Sequence, residues 1–419
     1  MSARHPGIVS TLRSVLQFQP ATLDPVERRL RKAASVADLR RIAKRRVPRG
    51  VFDYIDGAAE DERTMAANRI ALDRIGFDPR VLVDVSDIDT SSTLLGRQLK
   101  LPLVLAPTGF TRIADPAGEL AVARAADRAG LPYTLSTLST RSIEEVAAVS
   151  SGAKWFQVYV WRDRGLVLDM VQRAKAAGYE ALMVTVDTPV LGRRERDVRR
   201  GFSLPPKVGL GTLIDGAIHP GWTWDFVRAE PILFANVATS SAASSDGAAG
   251  DGSTAVSLST YVNSQFDPSL QWRDLDWLRG HWDGPIIVKG IQSVADAERT
   301  VAAGAEGLVI SNHGGRQLDG APATADLIAP IADAVGGQIV VVVDGGIRRG
   351  SDVVKAVALG ADACMIGRAY LYGLAAAGER GVAHVLDLFD TDVRRTMALI
   401  GVSRLADVNR SCLTGVAPR

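Results

Sequence analysis

From Leu101 onward, eight short runs rich in Val, Ile and Leu alternate with longer stretches of helix formers, and this rhythm limits the fold more than any other feature. The runs are LPLVLAP, PYTLS, KWFQVYV, ALMVTVD, PIIVKG, GLVISN, QIVVVVDGG and ACMIGR. Runs this apolar suit strands buried on both faces, which occur in parallel sheets covered by helices. The stretches between them, such as GELAVARAADRAG and GSDVVKAVALGA, mostly end at or near Gly, where a left-handed helix cap is least strained. Eight strand-helix units in succession predict an α/β fold of the (β/α)8 TIM-barrel class. An open doubly wound sheet is the alternative, but the early glycine cluster spells no dinucleotide fingerprint.

The 419 residues exceed the roughly 250 of a plain barrel. Residues 1–34 read as an N-terminal arm without chemistry, and 35–419 as one barrel domain. The stretch SVADLRRIAKRRVPRGVFDYI places Val36, Leu39, Ile42 and Ala43 at helical spacing and breaks at Pro48. It predicts an N-terminal helical cap. After the fourth run, residues 195–270 form an insertion far longer than the handful of residues a βα loop needs. Its apolar and aromatic first part reads as a lid, with Leu210, Leu213, Ile214, Ile218, Trp222, Trp224, Phe226, Ile232, Leu233 and Phe234 crowded together. Residues 238–256, rich in Ser, Ala and Gly, read as flexible.

Lys and Arg total 49 against 47 Asp and Glu, so the net charge of +2 offers no field to attract nucleic acid. Two cysteines, Cys364 and Cys412, exclude a disulfide framework and a four-cysteine zinc site, and no metal is expected. The first residues lack the apolar core of a signal peptide, and no apolar run reaches about 20 residues. A cytoplasmic protein without a membrane span is expected.

Barrel enzymes carry their reacting groups at the carboxyl ends of the strands. Here those ends offer Pro107-Thr108-Gly109, Ser136, Gln157, Tyr159, Thr185, Asp187, Lys289, Ser311, His313, Asp344-Gly345-Gly346 and Gly367-Arg368. Glycine-arginine clusters follow the last two strands, Gly345 and Gly346 with Arg348, then Gly367 with Arg368. Barrels commonly bind phosphate there: glycine lets backbone amides approach its oxygens, and arginine adds paired donors. In SNHGGRQLD, His313 can take a proton near neutral pH and Arg316 can grip a carboxylate at two points. A base beside such a clamp is what oxidation at the carbon next to a carboxylate requires. Asp187 can orient His313 and stabilise its protonated form, or it can merely cap the VDTP turn. Lys289 needs an anion or an electron-rich ring nearby, or forms a Schiff base. Tyr159 and Tyr54 can hydrogen-bond substrate oxygens or simply pack.

FDYIDGAAEDE, APTGF, LSTLST, WFQVYVWRDR, TVDTPVLGRRERD, VKGIQ, SNHGGRQLD, DGGIRRGSD and IGRAYLYGLAAAGE follow one another between about Ser35 and Cys412. In that order they resemble the FMN-dependent L-2-hydroxy acid oxidases and dehydrogenases, which include glycolate oxidase, mandelate dehydrogenase and flavin-type L-lactate dehydrogenase. The resemblance implies FMN as cofactor, His313 as base and Asp187 as its partner. It puts Arg316, Arg194 and Tyr54 on the substrate carboxylate and Tyr159 at the hydroxyl. It assigns FMN contacts to Pro107, Thr108, Gly109, Ser136, Gln157, Thr185, Lys289, Ser311, Asp344, Gly345, Gly346, Arg348, Gly367 and Arg368, with Lys289 stabilising the reduced flavin by charge. Leu138 lies where glycolate oxidase has tryptophan, and Ile55 follows Tyr54 where many relatives differ, so the pocket is not a glycolate pocket. Gly109 looks like the glycine of the mandelate and bacterial lactate dehydrogenases, and HPGWTWDF and FDPSLQWRDLDWLRGHWDGP resemble bacterial quinone-linked L-lactate dehydrogenases. The expectation is therefore an L-lactate dehydrogenase that passes electrons to a quinone. An oxygen-using 2-hydroxy acid oxidase making peroxide, or a relative acting on a peptide-derived redox cofactor precursor, are the alternatives. The resemblance also suggests a homotetramer, and the tryptophans of 205–235 with Lys207 and Arg228 suggest peripheral contact with the inner face of the cell membrane.

Overall fold

Eight parallel strands close on themselves: β1 (Leu103–Leu105), β2 (Tyr133–Ser136), β3 (Lys154–Val158), β4 (Ala181–Thr185), β5 (Ile286–Ile291), β6 (Gly307–Ile310), β7 (Val340–Val343) and β8 (Ala363–Ile366). The computed structural model describes residues 22–200, 209–238, 261–262 and 264–415. Each strand pairs with its neighbours in sequence, and β8 returns to β1 through Cys364, Met365 and Ile366 opposite Leu103, Val104 and Leu105. The fold is a (β/α)8 barrel with an N-terminal helical cap and a long insertion after β4.

Alternation along the strands divides the core in two. Trp155, Ala181, Met183, Ile287, Val309, Val342 and Met365 fill the barrel, whereas Phe156, Val158, Leu182 and Val184 face the helices. An antiparallel hairpin, Ser92–Leu94 with Arg97–Leu99, adds Leu94 and Leu99 to the interior cluster. Arg97 pairs with Glu180, the residue before β4, so the hairpin covers the amino end of the barrel.

Part of the expected arm is helical. Asp24 caps α1 (Pro25–Leu30) by accepting the Val26 amide at 2.8 Å, and Pro25 opens the helix without losing a bond. Residues 1–21 lie outside the described residues. The helices α2 (Val36–Arg46) and α3 (Arg49–Asp56) break at Pro48, and α4 (Arg63–Arg74) completes the cap. Val36, Leu39 and Ala43 of α2 and Val51, Phe52 and Ile55 of α3 are buried at helical spacing.

In the insertion, α5 (Leu210–Ala217) and α6 (Pro220–Arg228) sit beside the cap, where the Arg49 amide donates to Asp215 at 2.6 Å. Several contacts dock this region. Trp222 Nε1 donates to Ile113 O at 2.8 Å, Arg112 donates to Glu230 O at 2.7 Å, and Asn236 accepts the Ile143 amide at 2.9 Å. The apolar crowd read from the sequence divides accordingly: Trp222, Ile232, Leu233 and Phe234 are covered to varying degrees, while Leu213, Ile214, Ile218, Trp224 and Phe226 stay exposed. Lys207 and almost all of the tract 238–256 lie outside the described residues. The last helix, α7 (Arg368–Leu399), breaks at Ala377-Gly378 and packs against α1 and α2. Among the described residues, no helix is long and apolar enough to cross a membrane.

Candidate active site

After β6 the chain turns through three successive residues of positive φ: His313 at 56°, Gly314 at 64° and Gly315 at 76°. A side-chain-bearing residue seldom occupies that region, and one that does must be held there by its surroundings. Here Ser311 Oγ accepts the His313 amide at 3.0 Å, and the Asn312 side chain accepts the Gly315 amide at 3.1 Å. Glycine is required next, because a Cβ would lie 2.6 Å from Arg368 Nη1 at position 314 and 2.7 Å from the Met65 amide at 315. The turn sets His313 Nδ1 2.9 Å from Asp187 Oδ1, just beyond the carboxyl end of β4. Burial works to raise the Asp187 carboxyl, but the charges of His313 and Lys289 outweigh it and hold it below its ordinary value.

Arg316 follows on the same loop. Its Nη1 donates to the carbonyls of Tyr54 and Gly57 at 2.9 Å each, at the carboxyl end of α3 where the helix dipole favours a cation. Arg316 and Arg194 both stand over the Tyr54 ring, 5.3 and 5.5 Å from its centre. Burial, then the guanidiniums of Arg194 and Arg368, pull Arg316 down to about 9. A bound anion relieves that repulsion. Arg368 donates to Gly314 O at 2.9 Å and Gly57 O at 2.7 Å, so one glycine carbonyl supports both arginines. Tyr159 closes one wall, edge-on to Phe266 at 5.2 Å, and burial pushes its hydroxyl above the ordinary value.

One cavity gathers nearly every residue singled out in the sequence. Pro107, Thr108, Gly109, Ser136, Gln157, Thr185, Lys289, Asp344, Gly345, Gly346, Arg348, Gly367 and Arg368 line it with Tyr54, Tyr159, Arg194, His313 and Arg316. Asp187 and Ser311 stand behind the lining, bonded to His313 and to the Lys289 ammonium at 3.0 Å. Lys289 is buried 3.4 Å from Asp344; burial opposes its charge, yet Asp344 and Asp187 prevail and raise it. Three buried polar atoms of the lining residues have no hydrogen-bond partner among the described residues: Gln157 Nε2, Asp344 Oδ1 and Arg368 Nε. A donor, an acceptor and a cationic donor suit a ligand that carries ring carbonyls, hydroxyls and a phosphate, which are the polar parts of FMN.

Residues 43–415 match the family described as FMN-dependent dehydrogenase. The chain belongs to that family. It is similar to the L-lactate dehydrogenase of Caulobacter vibrioides, 46% identical over 387 residues that cover 92% of this chain and 99% of that one. The L-lactate dehydrogenase of Haemophilus influenzae is 42% identical over 388 residues, covering 92% and 99%. Among solved structures, the monotopic membrane protein (S)-mandelate dehydrogenase superposes with a TM-score of 0.87 at 40% identity, covering 92% of this chain and all of that one. The protein is an FMN-dependent 2-hydroxy acid oxidoreductase, and FMN is its cofactor.

Several residues of this dehydrogenase site escaped the sequence reading. Asp56, quoted only within a motif, is buried and accepts four hydrogen bonds: two from Arg40 at 2.6 and 2.7 Å, one from Arg196 at 2.9 Å and one from the Tyr372 hydroxyl at 2.6 Å. Tyr372 in turn lies under Arg348, 5.1 Å from ring centre to guanidinium. A lone carboxylate on an otherwise apolar helix face was the available signal. Phe234, read from the sequence as part of a lid, lines the cavity, and Val262 and Phe266 join it from further along the insertion, where no local pattern announces them.

Proposed function

We propose that this enzyme oxidises L-lactate, or an L-2-hydroxy acid of similar size, to the 2-oxo acid, with a quinone-type compound rather than oxygen as acceptor. The observation that carries this reading is the convergence of His313, held by Asp187, with Arg194 and Arg316 in one cavity. With Nδ1 engaged by Asp187, Nε2 is the nitrogen of His313 left to take the substrate's proton. The adjoining carboxylate stabilises the imidazolium that results. Nη1 of Arg316 is engaged by two backbone carbonyls, which leaves Nη2 and Nε to grip the substrate carboxylate. Arg194 adds a second cation beside Tyr54, and the Tyr159 hydroxyl meets the substrate hydroxyl. Bound FMN supplies the two-electron oxidant at the α-carbon.

Ile55, Leu138, Phe234 and Val262 form an apolar wall, which suits a small apolar side chain on the α-carbon. L-lactate is the acid named for the Caulobacter and Haemophilus relatives. The test is anaerobic mixing with L-lactate, D-lactate, glycolate and (S)-mandelate while the flavin absorbance is followed. L-lactate is expected to bleach it fastest, and in air peroxide is expected to be a small fraction of the turnover that a soluble quinone supports. Failure of L-lactate to bleach refutes the substrate; peroxide formed in step with lactate consumed refutes the acceptor.

Peripheral docking on the inner face of the cell membrane through 205–235 is a second reading, favoured by α5 and α6. Leu213, Ile214, Ile218, Trp224, Phe226 and Val227 are exposed on these neighbouring helices. Arg228 lies 4.0 Å over the Trp224 ring, an apolar body with a charged rim that suits a headgroup layer. The solved (S)-mandelate dehydrogenase is described as monotopic. Co-sedimentation with anionic liposomes, lost when Leu213, Ile214 and Trp224 are replaced by Ser, is the expected result; a parent protein that never sediments refutes it. The assembly proposed is a homotetramer, checked by light scattering.

A further inference from the structure

The loop after β6 also carries Gln317, which lines the cavity beside Arg316 yet belongs to neither the base pair nor the clamp. Gln317 reaches across to the loop after β4, and its amide is engaged at both ends. Nε2 donates to the carbonyls of Asp187 and Val190 at 3.1 Å each, and Oε1 accepts the Gly192 amide at 3.2 Å. The two loops meet backbone to backbone at this point. A Cβ on Gly192 would lie 2.3 Å from Arg316 O and 2.5 Å from Gln317 O, so only glycine permits the approach.

This seam divides the catalytic groups. The loop after β4 carries Asp187 and Arg194, while the loop after β6 carries His313 and Arg316. Since β5 stands between β4 and β6 in the barrel, no strand ladder joins the two loops. The base pair and the carboxylate clamp are both split across the same gap. The cap adds a brace further out, where the Ala59 amide donates to Gly315 O at 2.8 Å and the Glu60 amide to Arg193 O at 2.9 Å.

We propose that Gln317 is a positioning residue, a latch across this seam that fixes Asp187 against His313 for proton transfer. The proposal rests on His313 being the base. An amide suits the task because one end donates to two carbonyls while the other accepts an N–H. Methionine has similar length but leaves all three backbone groups without that partner, and glutamate sets a carboxylate against two carbonyl oxygens. Arg316 is anchored separately, to Tyr54 and Gly57, so loss of the latch leaves that half of the substrate grip in place while base alignment is lost.

The experiment compares Gln317→Met and Gln317→Glu with His313→Gln and the parent holoenzyme. Three quantities are read: FMN retained after gel filtration, the dissociation constant of oxalate from the perturbed flavin spectrum, and the limiting rate of anaerobic bleaching by the best substrate. A 1 Å misplacement at a reacting centre is worth about a hundredfold in rate, so Gln317→Met is expected to slow bleaching by about thirtyfold or more. FMN content is expected to stay within about threefold, since most of the residues assigned to it lie on other loops, and oxalate, still gripped by Arg316, is expected to weaken by far less than the rate falls. Gln317→Glu is expected to be at least as slow. Bleaching by Gln317→Met within threefold of the parent overturns the latch. So does a parallel fall in FMN retention, oxalate binding and rate, which marks a merely structural residue. If His313→Gln bleaches at the parental rate, the base assignment itself falls; if His313→Gln is slow while Gln317→Met is normal, the latch alone falls.

Discussion

Replacing Arg316 by Lys keeps a cation in the clamp and removes its geometry. The guanidinium does two things at once: Nη1 holds the carbonyls of Tyr54 and Gly57 at 2.9 Å, and the remaining nitrogens are left for the cavity. A lysine ammonium reaches one set of partners or the other, because it has no planar fork. Turned to the carbonyls, it forfeits a two-point charged contact with the substrate. Hydrogen bonds to charged groups are worth about 1.5–3 kcal/mol, which at 1.4 kcal/mol per factor of ten is roughly a ten- to hundredfold loss of affinity. Turned to the substrate, it gives up the bond to the Tyr54 carbonyl, while Gly57 O keeps Arg368, at a cost of about 1–3 kcal/mol that appears as a lower melting temperature. Either way kcat/KM is expected to fall by at least about tenfold. The assay is anaerobic bleaching against substrate concentration, with oxalate binding and a thermal melt alongside. Unchanged values in all three would remove Arg316 from the clamp.

His313→Gln is expected to retain FMN and bind oxalate yet bleach at least about a hundredfold more slowly, the usual scale for loss of a general base; a near-normal rate refutes it. Lys289→Met removes one of the charges that hold the Asp187 carboxyl down, so that carboxyl rises toward its ordinary value. The acid limb of the bleaching rate is then expected to move to higher pH, which a pH profile with anaerobic mixing checks. Asp56→Asn takes a buried counter-charge from Arg40 and Arg196, which are themselves partly exposed, and a loss of about 1–3 kcal/mol of stability is expected in a denaturant melt at pH 7. Burial opposes the charge of Asp56, but Arg40, Tyr372 and Arg196 hold its carboxyl well below the ordinary 3.8. Its stabilisation is therefore complete above that value and fades as pH falls toward the folded one, so the gap between variant and parent is expected to narrow below about pH 4.

The barrel was legible because its strands are nearly pure apolar runs, and because polar groups cluster just past their ends. Lys289, His313, Asp344 and Arg368 stand where chain order put them, and the cavity unites them. What stayed hidden were partners without a side-chain signature. The carbonyls of Tyr54 and Gly57 hold Arg316 and Arg368, yet a carbonyl is present at every position and marks none. Gln317 stood in a recognised motif, but its three partners are backbone groups brought close only by folding. The hairpin from Ser92 to Leu99 offered a Leu-Gly turn between short strands too brief to display a period. In the insertion, apolar content alone could not separate Phe234, which is buried, from Trp224, which is exposed. Both kinds of residue follow one another at similar spacing, and only the docking contacts of Trp222, Arg112 and Asn236 divide them.

The segment from Tyr54 to Gly57 that supports the arginines also sets a timetable for the growing chain. Arg316 meets Tyr54 across 262 residues, and Arg368 meets Gly57 across 311. Bonds between such distant positions form late, because the intervening loop must close before they reward it. On the ribosome, the cap and the first strands emerge while both arginines are still unmade. The clamp arginines and Gly345, Gly346 and Arg348 precede β8, but the expected phosphate cluster is not complete until β8 and the start of α7 have left the exit tunnel. On the proposed assignment, full capture of the cofactor is therefore an event of the finished barrel, and a chain stalled short of residue 368 lacks the Arg368 part of the phosphate cluster.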